Sequence, residues 1–163
     1  VTGASLASES SVTYVATGPR SDDADWADRI AAHRARRPPT WHTVESTDLP
    51  AAFAELTGPA VVDGLGTWLN AQLDELRVWE SPRATWEPAI DARVTALTGS
   101  IRSHPHDLVL VSDEVGLTLV PDNRAGRLFA DWLGLTNQRV ADACDTVHLV
   151  IAGQVLTVKS PGA

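Results

Sequence analysis

Leu108-Val109-Leu110-Val111 is an unbroken apolar run that stops at Ser112-Asp113-Glu114. A strand with one wet face alternates apolar and polar residues. A run without alternation predicts a strand covered on both faces, the habit of parallel sheets. The runs around Val61 (Ala60-Val61-Val62-Asp63) and around Val147 read the same way. Upstream, Ser11 to Ala16 is β-branched and aromatic and ends at the turn signal Thr17-Gly18-Pro19.

Helical patterns separate these strands. Ser21-Asp22-Asp23 opens a helix that passes Trp26, Ile30 and His33, fills with Arg34, Arg36 and Arg37, and stops at Pro38-Pro39. Trp41 to Val44 reads as a short extended segment. Leu49 to Leu56 reads as a helix that starts near Ser46 or Thr47, and Trp68, Leu69, Leu73 and Leu76 recur at helical spacing. Trp86, Ile90, Val94, Leu97 and Ile101 predict one long amphipathic helix ended by His104-Pro105-His106. Arg124 to Leu133 and Thr136 to Cys144 read as two helices parted by Gly134. Val147 to Ile151 and Val155 to Val158 are too close for a helical crossover, so they predict an antiparallel hairpin. The expected fold is α/β: a mostly parallel central sheet flanked by helices, with a C-terminal antiparallel hairpin.

Composition narrows the function classes. The chain has 163 residues and a formal charge of −8, which suits one domain and argues against non-specific nucleic-acid binding. No apolar run approaches the roughly 18 residues of a membrane span. With no secretory signal pattern at the start, a cytoplasmic location is expected. Cys144 is the only cysteine, which rules out an internal disulfide and leaves it a small buried apolar residue. There is no methionine and the sequence begins at Val1, so a natural start upstream is expected.

In an open α/β sheet, ligands bind at the carboxyl ends of the strands. Thr17-Gly18-Pro19, Asp63 and Ser112-Asp113-Glu114 all fall at that edge. A carboxylate ending a buried strand suits either a Mg²⁺ beside phosphates or a capped turn, and spacing leaves both open. His33 lies four residues from Arg29 and Arg37 and three from Arg36, so a helix sets them on one flank. Guanidinium groups disfavour the imidazolium, keep the ring a neutral nucleophile and hold phosphate oxygens. A solvated basic helix end with a surface histidine is the competing reading. His104 and His106 bracket a proline, and nothing supplies a third metal ligand at a convincing spacing. The tryptophans at 26, 68, 86 and 132 fit core or interface positions.

Taken in order, the motifs resemble one family. They are Val1-Thr2-Gly3, Val12 to Thr17, Arg29-Ile30 with His33-Arg34 and Arg37-Pro38, Trp41-His42-Thr43 with Glu45, and Val62-Asp63 with Trp68-Leu69. They continue with Leu110 to Gly116, Val120 to Arg124, Asn137-Gln138-Arg139, and Val147 to Val150 with Gly153. Over essentially its whole length the chain is similar to the adenosylcobinamide kinase / adenosylcobinamide-phosphate guanylyltransferase family. The stretch Val111 to Arg124 followed by Asn137-Gln138-Arg139 is the most specific part.

The resemblance implies a P-loop NTPase fold related to recombinase ATPases, assembled as a homotrimer. It implies phosphorylation of adenosylcobinamide by ATP or GTP, then transfer of GMP from GTP through a guanylylated histidine. By position His33 matches that histidine, and Arg34, Ala35, Arg36 and Arg37 match the nucleotide-holding stretch after it. Thr17, Gly18 and Pro19 match a nucleotide-contacting turn, Glu45 and Asp63 match acidic nucleotide-site positions, and Gly3 matches the first phosphate-loop glycine. Mg²⁺ held by Asp63 is the implied cofactor.

One departure is large. The family pattern continues into G-x-x-x-x-G-K-[ST], whose amides cradle phosphates. Here Gly3 is followed by Ala4-Ser5-Leu6-Ala7, and too few residues precede Ser11 for a strand–loop–helix unit. Either the natural protein carries a loop that this sequence omits, or the loop is deleted and the chain is a non-catalytic nucleotide-binding module. The well-formed remainder favours the first. Gly64 and Gly66 stand where larger residues are more usual.

Overall fold

The computed structural model describes residues 11–18, 24–35, 37–117 and 119–162; for residues 24–27, 29 and 33 it describes the backbone. Four parallel strands form the central sheet: β1 (Thr13–Ala16), β2 (His42–Glu45), β3 (Ala60–Asp63) and β4 (Leu108–Val111), in the spatial order β2-β1-β3-β4. Helices make the crossovers that parallel strands require. These are α1 (Ala24–Ala35) between β1 and β2, α2 (Leu49–Glu55) between β2 and β3, then α3 (Leu65–Glu75) and α4 (Arg83–Ser103) between β3 and β4. After α5 (Arg124–Ala143), β5 (Val147–Ile151) and β6 (Gln154–Lys159) pair antiparallel as a separate two-stranded sheet. The expected parallel sheet with a C-terminal hairpin is what forms, in keeping with a P-loop-like architecture.

Local chemistry explains the boundaries. Asp48, and not Ser46 or Thr47, caps α2, its carboxylate accepting from the Ala51 amide at 3.0 Å. Asn123 caps α5 in the same way, accepting from the Gly126 amide at 2.7 Å. At the other end of α5 the Lys159 ammonium donates to the carbonyls of Ala141, Asp142 and Cys144, at 3.0, 3.3 and 2.6 Å. That cation meets the negative end of the helix dipole and ties β6 to the helix. The hairpin turns through Ala152 and Gly153 at φ 50° and 75°. Two successive positive φ values match the twist of the flanking strands.

Trp86, Ile90, Val94, Leu97 and Ile101 are buried along α4, as their spacing predicts. Trp68, Leu69 and Leu73 of α3 and Trp132, Leu133 and Val140 of α5 join the same cluster. Trp86 and Trp132 meet edge to face with centroids 6.1 Å apart. Tryptophans 68, 86 and 132 are thus core residues; the side chain of Trp26 lies outside the described set.

Two expectations need correction. Gly134 does not divide α5, which is continuous from Arg124 to Ala143. A helical glycine costs only about 1 kcal/mol. Trp132, Leu133, Thr136 and Val140 keep one face buried across it, which outweighs that cost. The second concerns Leu108–Val111. Its first three residues are half-buried and Val111 is exposed, so the strand is not covered on both faces. It lies at the end of the described sheet, and an open groove of about 1450 Å³ separates it from β5 and α5. Cys144 is likewise half-buried rather than fully buried, and burial still raises its thiol pKa.

Candidate functional site

Strand register sets the level of the site. Ala16 of β1 pairs with Glu45 of β2 on one side and with Asp63 of β3 on the other, and Asp63 pairs with Val111 of β4. Glu45, Ala16, Asp63 and Val111 therefore form one row across the carboxyl edge of the sheet. The two carboxylates flank Ala16 from strands about 10 Å apart, as two inter-strand spacings require. Of the residues singled out at this edge, Glu45 is exposed and Asp63 half-buried.

The row below carries Tyr14, which has contacts on both sides. Tyr14 and Thr43 are register partners on β1 and β2. The Arg37 guanidinium lies over the Tyr14 ring, 3.2 Å from its centroid, and donates to Thr43 Oγ1 at 3.2 Å. Such stacking on an aromatic face holds a cation in place. The Tyr14 hydroxyl donates to Asp63 Oδ2. It can reach because residues two apart on neighbouring strands share a face. Burial, with the Asp63 hydrogen bond and charge, pushes the phenol pKa well above its ordinary value, and so Tyr14 stays a donor at neutral pH. The result is a continuous path from the basic segment after α1 to the strand-end carboxylate: Arg37, Tyr14, Asp63.

Beside it, Thr17 joins the two central strands. Its side chain is fully buried. Its hydroxyl donates to the Gly64 carbonyl at 2.7 Å and accepts from the Gly64 amide at 3.2 Å. Thr67 Oγ1 lies in hydrogen-bond contact with it and also donates to the Gly64 carbonyl, at 2.8 Å. The Asp63–Gly64 peptide is cis. The Thr17 hydroxyl is thus engaged inside the protein, while Gly18 is half-exposed at the turn. Gly66 has a local reason as well: a Cβ there would stand 2.9 Å from Asp113 Oδ2, so glycine lets the loop after β4 approach the start of α3. That loop is pinned to α5 by Ser112 donating to Asn137 Oδ1 at 2.6 Å and Asn137 donating to the Asp113 carbonyl at 2.9 Å.

His33 lies on α1, with Arg34 and Ala35 exposed next to it; the helix ends at Ala35, so Arg37 follows it and is not set on the His33 flank by helical spacing as expected. Its side chain, together with Gly3, Pro19 and Arg36, falls outside the described residues. Sequence reasoning missed Tyr14 and Thr67. Tyr14 lies inside the Val12 to Thr17 motif but was given no role, and Thr67 lies in none of the motifs; the contacts of both become visible only when the β1–β3 register is known. Among the described residues no three His, Cys, Asp or Glu side chains cluster as a metal cage. The donors around Asp63 are carboxylate and hydroxyl oxygens. That set suits a Mg²⁺ that keeps waters and shares a nucleotide's phosphates, which needs only one or two protein carboxylates. No helix among the described residues is long and apolar enough to cross a membrane.

Residues 3–158 match the family model described as cobinamide kinase / cobinamide phosphate guanyltransferase. The bifunctional adenosylcobalamin biosynthesis protein CobP of Pseudomonas aeruginosa is 34% identical over 160 residues, covering 94% of this chain and 87% of that protein. The bifunctional adenosylcobalamin biosynthesis protein CobU of Salmonella typhimurium is 34% identical over 157 residues, covering 91% and 86%. Its Escherichia coli namesake is 32% identical over 162 residues, covering 94% and 89%. On a match of this extent, the chain belongs to the cobinamide kinase / cobinamide phosphate guanyltransferase family.

Proposed function

We propose that this chain is a bifunctional enzyme of cobalamin biosynthesis. It phosphorylates the aminopropanol hydroxyl of adenosylcobinamide with ATP or GTP. It then transfers GMP from GTP onto that phosphate to give adenosylcobinamide-GDP. The family match from residue 3 to residue 158 carries this reading.

In the second reaction a neutral His33 nitrogen attacks the α-phosphorus of GTP. A P–N bond forms, the bond to the bridging oxygen breaks, and pyrophosphate leaves. A phosphate oxygen of cobinamide phosphate then attacks the same phosphorus and returns the imidazole to its neutral form. Arg34, Ala35, Arg36 and Arg37 follow His33 directly, and the guanidinium groups among them offset the negative charge that repels a nucleophile. Gly3, Thr17, Gly18, Pro19, Glu45 and Asp63 complete the nucleotide-site assignment. Asp63 would hold Mg²⁺, which would supply charge neutralisation on the phosphates. The working form is a cytoplasmic homotrimer, as the family resemblance implies.

The test is product analysis. The chain incubated with adenosylcobinamide, ATP, GTP and Mg²⁺ yields masses for the phosphate ester and then for the GDP adduct; formation of neither overturns the proposal. A second reading rests on one observation, the run Ala4-Ser5-Leu6-Ala7 after Gly3 in place of a phosphate-loop pattern. Under it the chain is a nucleotide-binding module that binds GDP and makes neither product.

A further inference from the structure

We infer that Tyr14 is a positioning residue that couples the basic segment after α1 to the strand-end carboxylate, setting Arg37 with its ring face and Asp63 with its hydroxyl. The inference rests on the proposed nucleotide site and adds to it a residue to which the motifs assign no role.

Tyr14 touches both groups. Arg37 stands 3.2 Å from the ring centroid, close enough for the guanidinium plane to be fixed by stacking. Thr43 Oγ1 holds the same guanidinium from β2 at 3.2 Å. The phenol hydroxyl is committed to Asp63 Oδ2. The ring is 7% exposed and the strand beneath it is paired on both sides, so it is a rigid platform. Arg37 is half-buried, and Asp63 ends its strand. A cation and an anion of the same nucleotide site are therefore oriented by opposite parts of one buried side chain. Such pre-organisation leaves less ordering to be done when a phosphate arrives.

Two substitutions separate the two parts. Tyr14→Phe keeps the ring under Arg37 and removes the donor to Asp63. GDP affinity, read by calorimetry, stays within about twofold of the parent, while labelling by GTP at saturation slows about tenfold, the size of one hydrogen bond to a charged group. Tyr14→Leu removes both, and GDP affinity also falls by about tenfold as Arg37 loses its platform. In a double-mutant cycle, Tyr14→Phe costs little further in an Asp63→Asn background, and Arg37→Ala costs little further in a Tyr14→Leu background. Thermal melting separates a general loss of folding from these specific effects.

Wild-type labelling speed in Tyr14→Phe overturns the inference, as do effects that simply multiply in both cycles. If the parent chain takes no label at all, the proposed function fails. The Arg37–Tyr14 arm is still decided by GDP affinity, which needs no turnover.

Discussion

Replacing Thr17 with Val keeps the side chain's shape and deletes its hydroxyl. Thr17 is fully buried where the ends of β1 and β3 meet. Its oxygen accepts from the Gly64 amide at 3.2 Å and donates to the Gly64 carbonyl at 2.7 Å. The carbonyl is not left bare by the change, because Thr67 Oγ1 at 2.8 Å and the Trp68 amide at 3.2 Å also reach it. The Gly64 amide is the group that loses its acceptor in a half-buried place. One hydrogen bond at about 1 kcal/mol and one stranded donor at about 1–2 kcal/mol give a cost of about 2–3 kcal/mol. Thr17→Ser keeps the hydroxyl and loses a methyl, which costs about 1 kcal/mol. With a urea slope of about 2 kcal/mol/M, the Val variant unfolds about 1 M earlier than the parent and the Ser variant about 0.5 M earlier. A Val variant as stable as the Ser variant refutes the reasoning, since packing and not the hydroxyl would then hold the two strand ends.

Three further outcomes follow from local geometry. Lys159→Met removes the ammonium from three carbonyls at the end of α5 and costs about 1–2 kcal/mol, seen as faster amide exchange in the last turn of that helix and in β6. Ala152→Gly relieves a non-glycine residue at φ 50° in the hairpin and raises the melting temperature by a few degrees, corresponding to about 0.5–1 kcal/mol. His104 has its pKa lowered below 6.5, first by burial and then by the neighbouring His106. Unfolded chains therefore take up a proton there before folded ones do, and stability falls as pH drops through 6.5 towards the lower folded value. A His104→Phe chain loses that part of the acid sensitivity in denaturation curves taken across this window.

Most of the parallel sheet was legible because β1, β3 and β4 are short β-branched or apolar runs between helical patterns, whereas the polar β2 reads only as an extended segment. Ala60–Asp63 and Leu108–Val111 have the very bounds their composition marks. The long helix through Trp86 and Ile101 was equally plain from its spacing. What composition could not show was order in space. Leu108-Val109-Leu110-Val111 reads as a fully covered strand, yet its cover depends on neighbours several elements away. Gly134 reads as a break, yet burial across it decides otherwise. The same limit governs the site. Asp63 and Arg37 were found as chemistry-bearing residues at an edge and at a helix end. Tyr14 reads as a strand former within the Val12 to Thr17 motif, with no role of its own. Its role emerges from a register that pairs it with Thr43 and Val61 and so brings its hydroxyl to Asp63.

Covalent capture of GMP is the most direct test of the central claim. The chain is incubated with α-labelled GTP and Mg²⁺, denatured, digested and sequenced by mass spectrometry. The account predicts one nucleotide adduct at His33, labile in acid and stable in base as a phosphoramidate is, and absent from His33→Ala. A GMP adduct that persists in His33→Ala, or one mapped to another residue, contradicts it.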